Sequence, residues 1–140
     1  MTYALSWPLQ EGLFALISGD PACDALLSGR VYDAAPHLGG EEPDGVYVTL
    51  GDEQTSDWST ASDAGAIHLV SMSIHSPGHG FAVAKQAAAA VCDAVLAGGL
   101  TLSRGRLVNA RFVDARTRRA EADAHRRIDL RFRLTLEDTD

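Results

Sequence analysis

The chain has 140 residues, a formal net charge of −7 and an apolar share of 46%, ordinary for a globular protein. That length suits one domain over residues 1–140 with a core that needs no staples, and no apolar run nears the roughly 20 residues that cross a bilayer. No charged stretch precedes an apolar one at the N-terminus, so no secretory signal is expected, and the net acidity argues against general affinity for nucleic acid, which rests on neutralising phosphates.

In chain order, residues 5–17 read as a first helix, with Pro8 in its first turn and Leu9, Leu13, Leu16 and Ile17 on one stripe. Trp7 and Tyr3 are expected to cap this helix against the core. Asp20 and Pro21 predict the N-cap and first position of a short second helix that buries Leu26 and Leu27 and stops at Ser28 and Gly29. Residues 30–33 form a short extended piece. Residues 34–45, rich in Gly and Pro, form a loop.

Residues 46–50 are a strand by β-branched and aromatic content. Residues 67–75 are another, apolar enough to be central. Between them the polar stretch 51–65, with Trp58 in its middle, reads as a long loop of the size that is functional or mobile. Trp58 either anchors that loop to the body or fills a partner's pocket. Residues 81–97 form an alanine-rich helix with Ala84, Ala87, Ala88, Val91 and Val95 on one face, closed by Gly98 and Gly99.

The last third is an arginine-rich hairpin. Ile128, Leu130, Phe132, Leu134 and Leu136 alternate with Arg127, Asp129, Arg131, Arg133 and Thr135, the period of a half-buried strand. Its partner reads Val108, Ala110 and Phe112 inward, Asn109 and Arg111 outward, and continues to Arg116, with residues 116–124 as the turn or an extended arm. The order α-α-β-β-β-α-β-β gives an α+β fold, with helices covering one side of a mainly antiparallel sheet.

Charge is segregated along this plan. Residues 104–133 hold ten basic residues against four acids, net +6; residues 1–103 hold two against twelve, net −10; residues 134–140 add −3. Arginine outnumbers lysine eleven to one and suits fixed bidentate contacts with carboxylates. Arg111, Arg116, Arg118, Arg119, Arg126, Arg127, Arg131 and Arg133 are either a solvated outer sheet face or a contact surface. Surfaces built for solubility mix signs, and this one concentrates a single sign. A chain with oppositely charged ends can pair with copies of itself or with different partners on its two sides.

No frame for catalysis is visible. There is no G-x-S-x-G elbow, P-loop or dinucleotide fingerprint. His75 and His79 have metal-pair spacing, but Pro77 and Gly78 between them exclude a helix and no further ligand stands nearby, so a polar turn is expected and no metal or cofactor. Cys23 and Cys92 lack C-x-x-C spacing and sit among apolar residues. Free buried thiols are the reading and a disulfide the alternative. Cys92, in mid-helix, is a poor nucleophile.

Taken together, these pieces resemble the small tail-terminator, or tail-completion, proteins of long-tailed phages and gene transfer agents. The resemblance runs from Leu9 through Ser28-Gly29-Arg30-Val31-Tyr32-Asp33-Ala34-Ala35-Pro36, Tyr47-Val48-Thr49-Leu50-Gly51, Asp57-Trp58-Ser59-Thr60 and His68-Leu69-Val70 to the alanine-rich helix and the strand from Leu107 to Arg116. It departs where Asp44-Gly45-Val46 separates Pro43 from Tyr47. What the resemblance implies is structural work without a cofactor: a ring, typically a hexamer, at the head-proximal end of the tail tube. Such a ring ends tube growth and presents a surface to the head-side connector or stopper, and DNA passes through it without sequence-specific binding. It also implies assembly in the bacterial cytoplasm, no membrane and no enzyme activity. The expected subunit or partner contacts are Trp58, Asp57, Arg111, Arg116, Arg118, Arg119, Arg131 and Arg133. The alternative is a small nucleic-acid-binding or regulatory module using the C-terminal hairpin.

Overall fold

The structure is a computed structural model that describes residues 3–33, 43, 45–77, 80–119 and 125–139. Helix α1 spans Ser6–Gly19 and buries Leu9, Leu13 and Ile17 on one stripe. Pro8 falls in its first turn, where backbone N–H groups have no intrahelical acceptor to lose. Helix α2, Pro21–Leu27, starts where the Asp20 carboxylate accepts the Cys23 backbone N–H at 3.0 Å. It ends as Ser28 and Gly29 turn left-handed, at φ 49° and 77°.

Strands β1 (Val31–Tyr32), β2 (Tyr47–Asp57) and β3 (Gly65–Ser76) follow, then helix α3 (Phe81–Leu96) and strands β4 (Arg106–Arg119) and β5 (Arg126–Glu137). The element order is the one read from the sequence. The strands form one sheet in the order β1-β2-β3-β5-β4, antiparallel except for the short β1–β2 pair. The three helices pack on one face. There Val48, Met72, Ile74, Leu130, Phe132 and Leu134 meet the α1 leucines and Ala84, Ala87 and Val91 of α3. Alanines on α3 let the helix lie close to the sheet. Arg30 ties α2 to β2, its Nε donating to the Val46 carbonyl at 2.9 Å.

Several expectations need correction. The stretch 51–65 is mostly strand: β2 runs on to Asp57, paired with Ala66, so the loop shrinks to residues 58–64. The sequence conceals this because the inward side of the stretch carries the polar Glu53 and Thr55, half-buried against His68 beneath α1, while the other side is exposed, so no apolar alternation marks it. Tyr3 and Trp7 do not cap the core; Trp7 is 65% exposed. Val108 and Phe112 are not buried: Phe112 faces the helical side over Phe132, yet stays 45% exposed. β4 is an edge strand, and bulges at Val108 and Val113 interrupt its pairing with β5. β4 also continues through Arg116 to Arg119, leaving less of the proposed turn. The reading of Cys23 and Cys92 as free thiols, by contrast, holds, with Cys23 buried and Cys92 half-buried. The loop at 34–45 falls largely outside the described residues, as do His79 and residues 120–124.

Candidate functional site

The helix-free face of the sheet carries the charge. Residues in register across antiparallel strands share a face, so the alternation of β5 sends Arg127, Asp129, Arg131 and Arg133 to the side opposite Phe132. Asp114, Arg116 and Arg118 of β4 and Ser71 and Ser73 of β3 stand beside them. With Asp52 of β2 these side chains, Arg133 excepted, line a groove of about 650 Å³.

Within the groove the arginines are only partly neutralised. Arg131 grips Asp114 with two hydrogen bonds, Nε to Oδ1 at 2.8 Å and Nη2 to Oδ2 at 2.5 Å. This bidentate bond outweighs desolvation and, with the charges of Arg131 and Arg116 adding to it, holds the Asp114 carboxyl below its usual range. Asp129 accepts from Arg118 Nε at 2.7 Å, from Arg127 Nη2 at 3.3 Å and from the Ser73 hydroxyl at 2.6 Å. These carboxylates are two of the four acids in the basic segment, and their partners lie within the same chain.

Arg111 and Arg133 differ. They stand directly opposite in the β4–β5 register and make no ion pair among the described residues. Like charges face to face across strands destabilise a sheet, so this pair leaves a cationic spot that a partner's carboxylate would relieve. Arg116 and Arg119 also lack an ion pair among the described residues. Arg126, by contrast, points to the helical side and lies over the Phe81 ring at 5.7 Å.

Asp57 and Trp58 sit at the far end of the β2–β3 hairpin, away from the arginines on β4 and β5 in sheet order. The Ser59 hydroxyl donates to Asp57 at 2.6 Å, and the Trp58 N–H donates to the Gly65 carbonyl at 3.1 Å. The Trp58 ring lies over Gly65, where a Cβ would stand 2.7 Å from it, yet the residue is still 38% exposed. It therefore both folds back on the hairpin and offers a face to solvent. The expected contact residues thus divide between two places, the hairpin tip and the charged face.

The remaining chemical groups are committed to structure. His75 stacks on Tyr47 at 4.6 Å, and its ring nitrogens hydrogen-bond Thr49 at 2.9 Å and His125 at 3.1 Å. No group of three metal-ligating side chains occurs among the described residues. Burial, then a hydrogen bond and charge from Asp20, push the Cys23 thiol up to about 12. Burial, then Asp93, raises Cys92. Both remain protonated thiols at neutral pH, unsuited to nucleophilic work.

Sequence reasoning missed the acid partners Asp114 and Asp129 and a polar cluster of Ser6, Glu53, Thr55 and His68 beneath α1. The adjacent apolar pair Phe112 and Val113, which breaks the period of two, was the available signal for the bulge.

No curated protein matches the chain. Among solved structures, it is similar to a chain of the virion of a native gene transfer agent particle, at 43% identity and a TM-score of 0.86, over 97% of this chain and 99% of that one. The family model described as tail completion protein gp17 matches residues 11–137. That span holds α2, α3, the whole sheet and most of α1, so the chain belongs to the tail completion protein gp17 family.

Proposed function

We propose that the protein is a non-enzymatic structural component of the tail of a phage or gene transfer agent particle. It acts as one tail-terminator-like domain over residues 1–140. Copies form a hexameric ring at the head-proximal end of the tail tube, end tube growth and join the tube to the head-side connector. The observation that carries this is likeness over nearly the entire chain to a virion protein at 43% identity, with the fold retained.

The charged face and the hairpin tip suit such a role. A ring subunit must meet its neighbours, the tube and the connector, and hence needs several contact surfaces. Trp58 with Asp57 at the hairpin tip supplies one. Arg111, Arg116, Arg119 and Arg133 supply another, with Arg118 and Arg131 held in place by their own carboxylates. The acidic remainder of the chain offers carboxylates to such arginines on a neighbouring subunit.

The nucleic-acid reading draws on the same arginines. Against it stands the neutralisation of Arg118, Arg127 and Arg131 by Asp114 and Asp129, which lowers the density of free positive charge that phosphate binding needs. The test is cryo-electron microscopy of assembled tails containing this protein. Six copies in one ring next to the head-side connector are expected. A two-fold dimer as the only assembly, or a position elsewhere in the particle, overturns the reading.

A further inference from the structure

Two exposed apolar surfaces lie at opposite edges of the sheet. At the β1 edge, Trp7 and Phe14 of α1 wall a groove of about 460 Å³ with Val31, Tyr32 and Leu50. Glu11 and Asp33 stand on its rim and form no ion pair among the described residues. Trp7 and Phe14 are seven residues apart, two turns along one helical face, and Phe14 is 45% exposed.

At the other edge, β4 exposes Val108, Phe112 and Val113, with Phe112 on the helical side over Phe132 and Val113 on the charged side beside Leu69, Ser71 and Arg131. Val108 and Val113 are the extra residues of the two bulges, outside the pairing with β5. Bulges at a sheet edge re-aim side chains and blunt the strand against edge-to-edge pairing. A bulge placed only to protect an edge is served by a polar residue, yet both positions here are apolar. Phe112 is 45% exposed although it stands over the buried Phe132, because the core reaches β4 around Leu107 and Ala110 and does not cover Phe112. Beside these residues stand Arg111 and Arg116, without ion pairs among the described residues.

The two surfaces are complementary in kind: an apolar strand edge flanked by arginines and an apolar groove rimmed by carboxylates. They lie on opposite sides of one subunit, the arrangement of a head-to-tail contact that closes into a ring when the rotation permits. We infer that the bulged β4 edge of one copy, through Val108, Phe112 and Val113, seats in the Trp7–Phe14 groove of the next copy. This contact rests on the ring reading for its closure. A tail tube or connector segment in either surface is the competing occupant.

The test uses two full-length variants, one with a disabled edge (Phe112→Asp with Val113→Asp) and one with a disabled groove (Trp7→Asp with Phe14→Asp). Folding is checked by thermal melting. If the edge variant does not fold, Val113→Asp alone replaces it. Native mass spectrometry and sedimentation at rising concentration then read each variant, their mixture and the unmodified chain. Each variant alone is expected to remain monomeric. Their equimolar mixture is expected to form a one-to-one dimer and nothing larger, since only one edge and one groove survive. The unmodified chain is expected to form closed rings. Rings from the unmodified chain together with oligomers of either variant alone, or with no dimer in the mixture, overturn this contact and leave the ring. A dimer in the mixture with no ring from the unmodified chain overturns the ring and leaves the contact. Neither dimer nor ring overturns both.

Discussion

His68 Nδ1 donates to Glu53 Oε1 at 2.5 Å beneath the first turn of α1, where His68 is fully buried and its Nε2 has no hydrogen-bond partner among the described residues. The Ser6 hydroxyl reaches both Glu53 oxygens, at 3.0 and 3.1 Å, and Thr55 donates to Oε1 at 3.2 Å. The cluster joins α1 to the middle of the β2–β3 hairpin.

This cluster makes stability depend on acid. Burial pushes the Glu53 carboxyl up, but hydrogen bonds from His68 and Ser6, the His68 charge and Thr55 together hold it below its ordinary 4.5. A carboxyl depressed in the folded state contributes stability that is fully present above the unfolded value and is lost as pH falls through the folded one. Urea unfolding across a pH series should therefore show the advantage of the unmodified chain over Glu53→Gln shrinking below about pH 4.5. Ser6→Ala should cost about 1 kcal/mol at neutral pH. An advantage that grows on acidification contradicts the assignment.

The edge-to-face pair Phe112 and Phe132, 6.0 Å between ring centres, should separate stability from assembly. Phe132 is wholly buried, so Phe132→Ala is expected to cost about 3–5 kcal/mol through the cavity it leaves. Phe112→Ala removes only the edge-to-face contact, about 1 kcal/mol. Equal losses in denaturant unfolding would place Phe112 in the core after all.

Gly105, just before β4, holds φ +81°, and a Cβ there would stand 2.8 Å from the Glu137 carbonyl oxygen and 2.7 Å from Leu5. Left-handed backbone together with a backbone clash predicts that Gly105→Ala lowers stability by about 1–3 kcal/mol. An unchanged unfolding midpoint would show that the turn can relax.

On the proposed reading, Trp58→Ala leaves the monomer folded and reduces tail completion, because the exposed face of the indole is what a partner covers. Circular dichroism and a count of completed tails measure the two effects. A loss of monomer folding assigns Trp58 to its contact with Gly65 instead.

Reversing Arg131 and Arg133 together, Arg131→Glu with Arg133→Glu, is expected to impair assembly without removing a salt-sensitive DNA affinity. Arg133→Glu alone should carry most of the loss, because Arg131 already spends its charge on Asp114. Tight duplex binding by the unmodified chain at physiological salt, with a steep salt slope that the double change abolishes, favours the nucleic-acid reading.

The sequence by itself determined what local rules govern. The Asp20–Pro21 start of α2, the buried alanine stripe of α3 and the alternation of β5 follow from caps and periodicity, which act over a few residues. Segregated charge and the order of elements were likewise plain, and with the motifs they pointed to the tail-completion family. Only the tertiary structure decided which apolar residues are covered. Trp7 and Phe112 read as core because hydrophobicity does not say where a helical layer ends. The strand beyond Gly51 escaped notice because its inward face carries the polar Glu53 and Thr55 beneath α1, which leave no apolar pattern. The partners of the arginines were decided the same way: strand register across the whole sheet brings Asp114 to Arg131 and leaves Arg111 facing Arg133, and register is set by long-range packing and bulges rather than by neighbours in sequence.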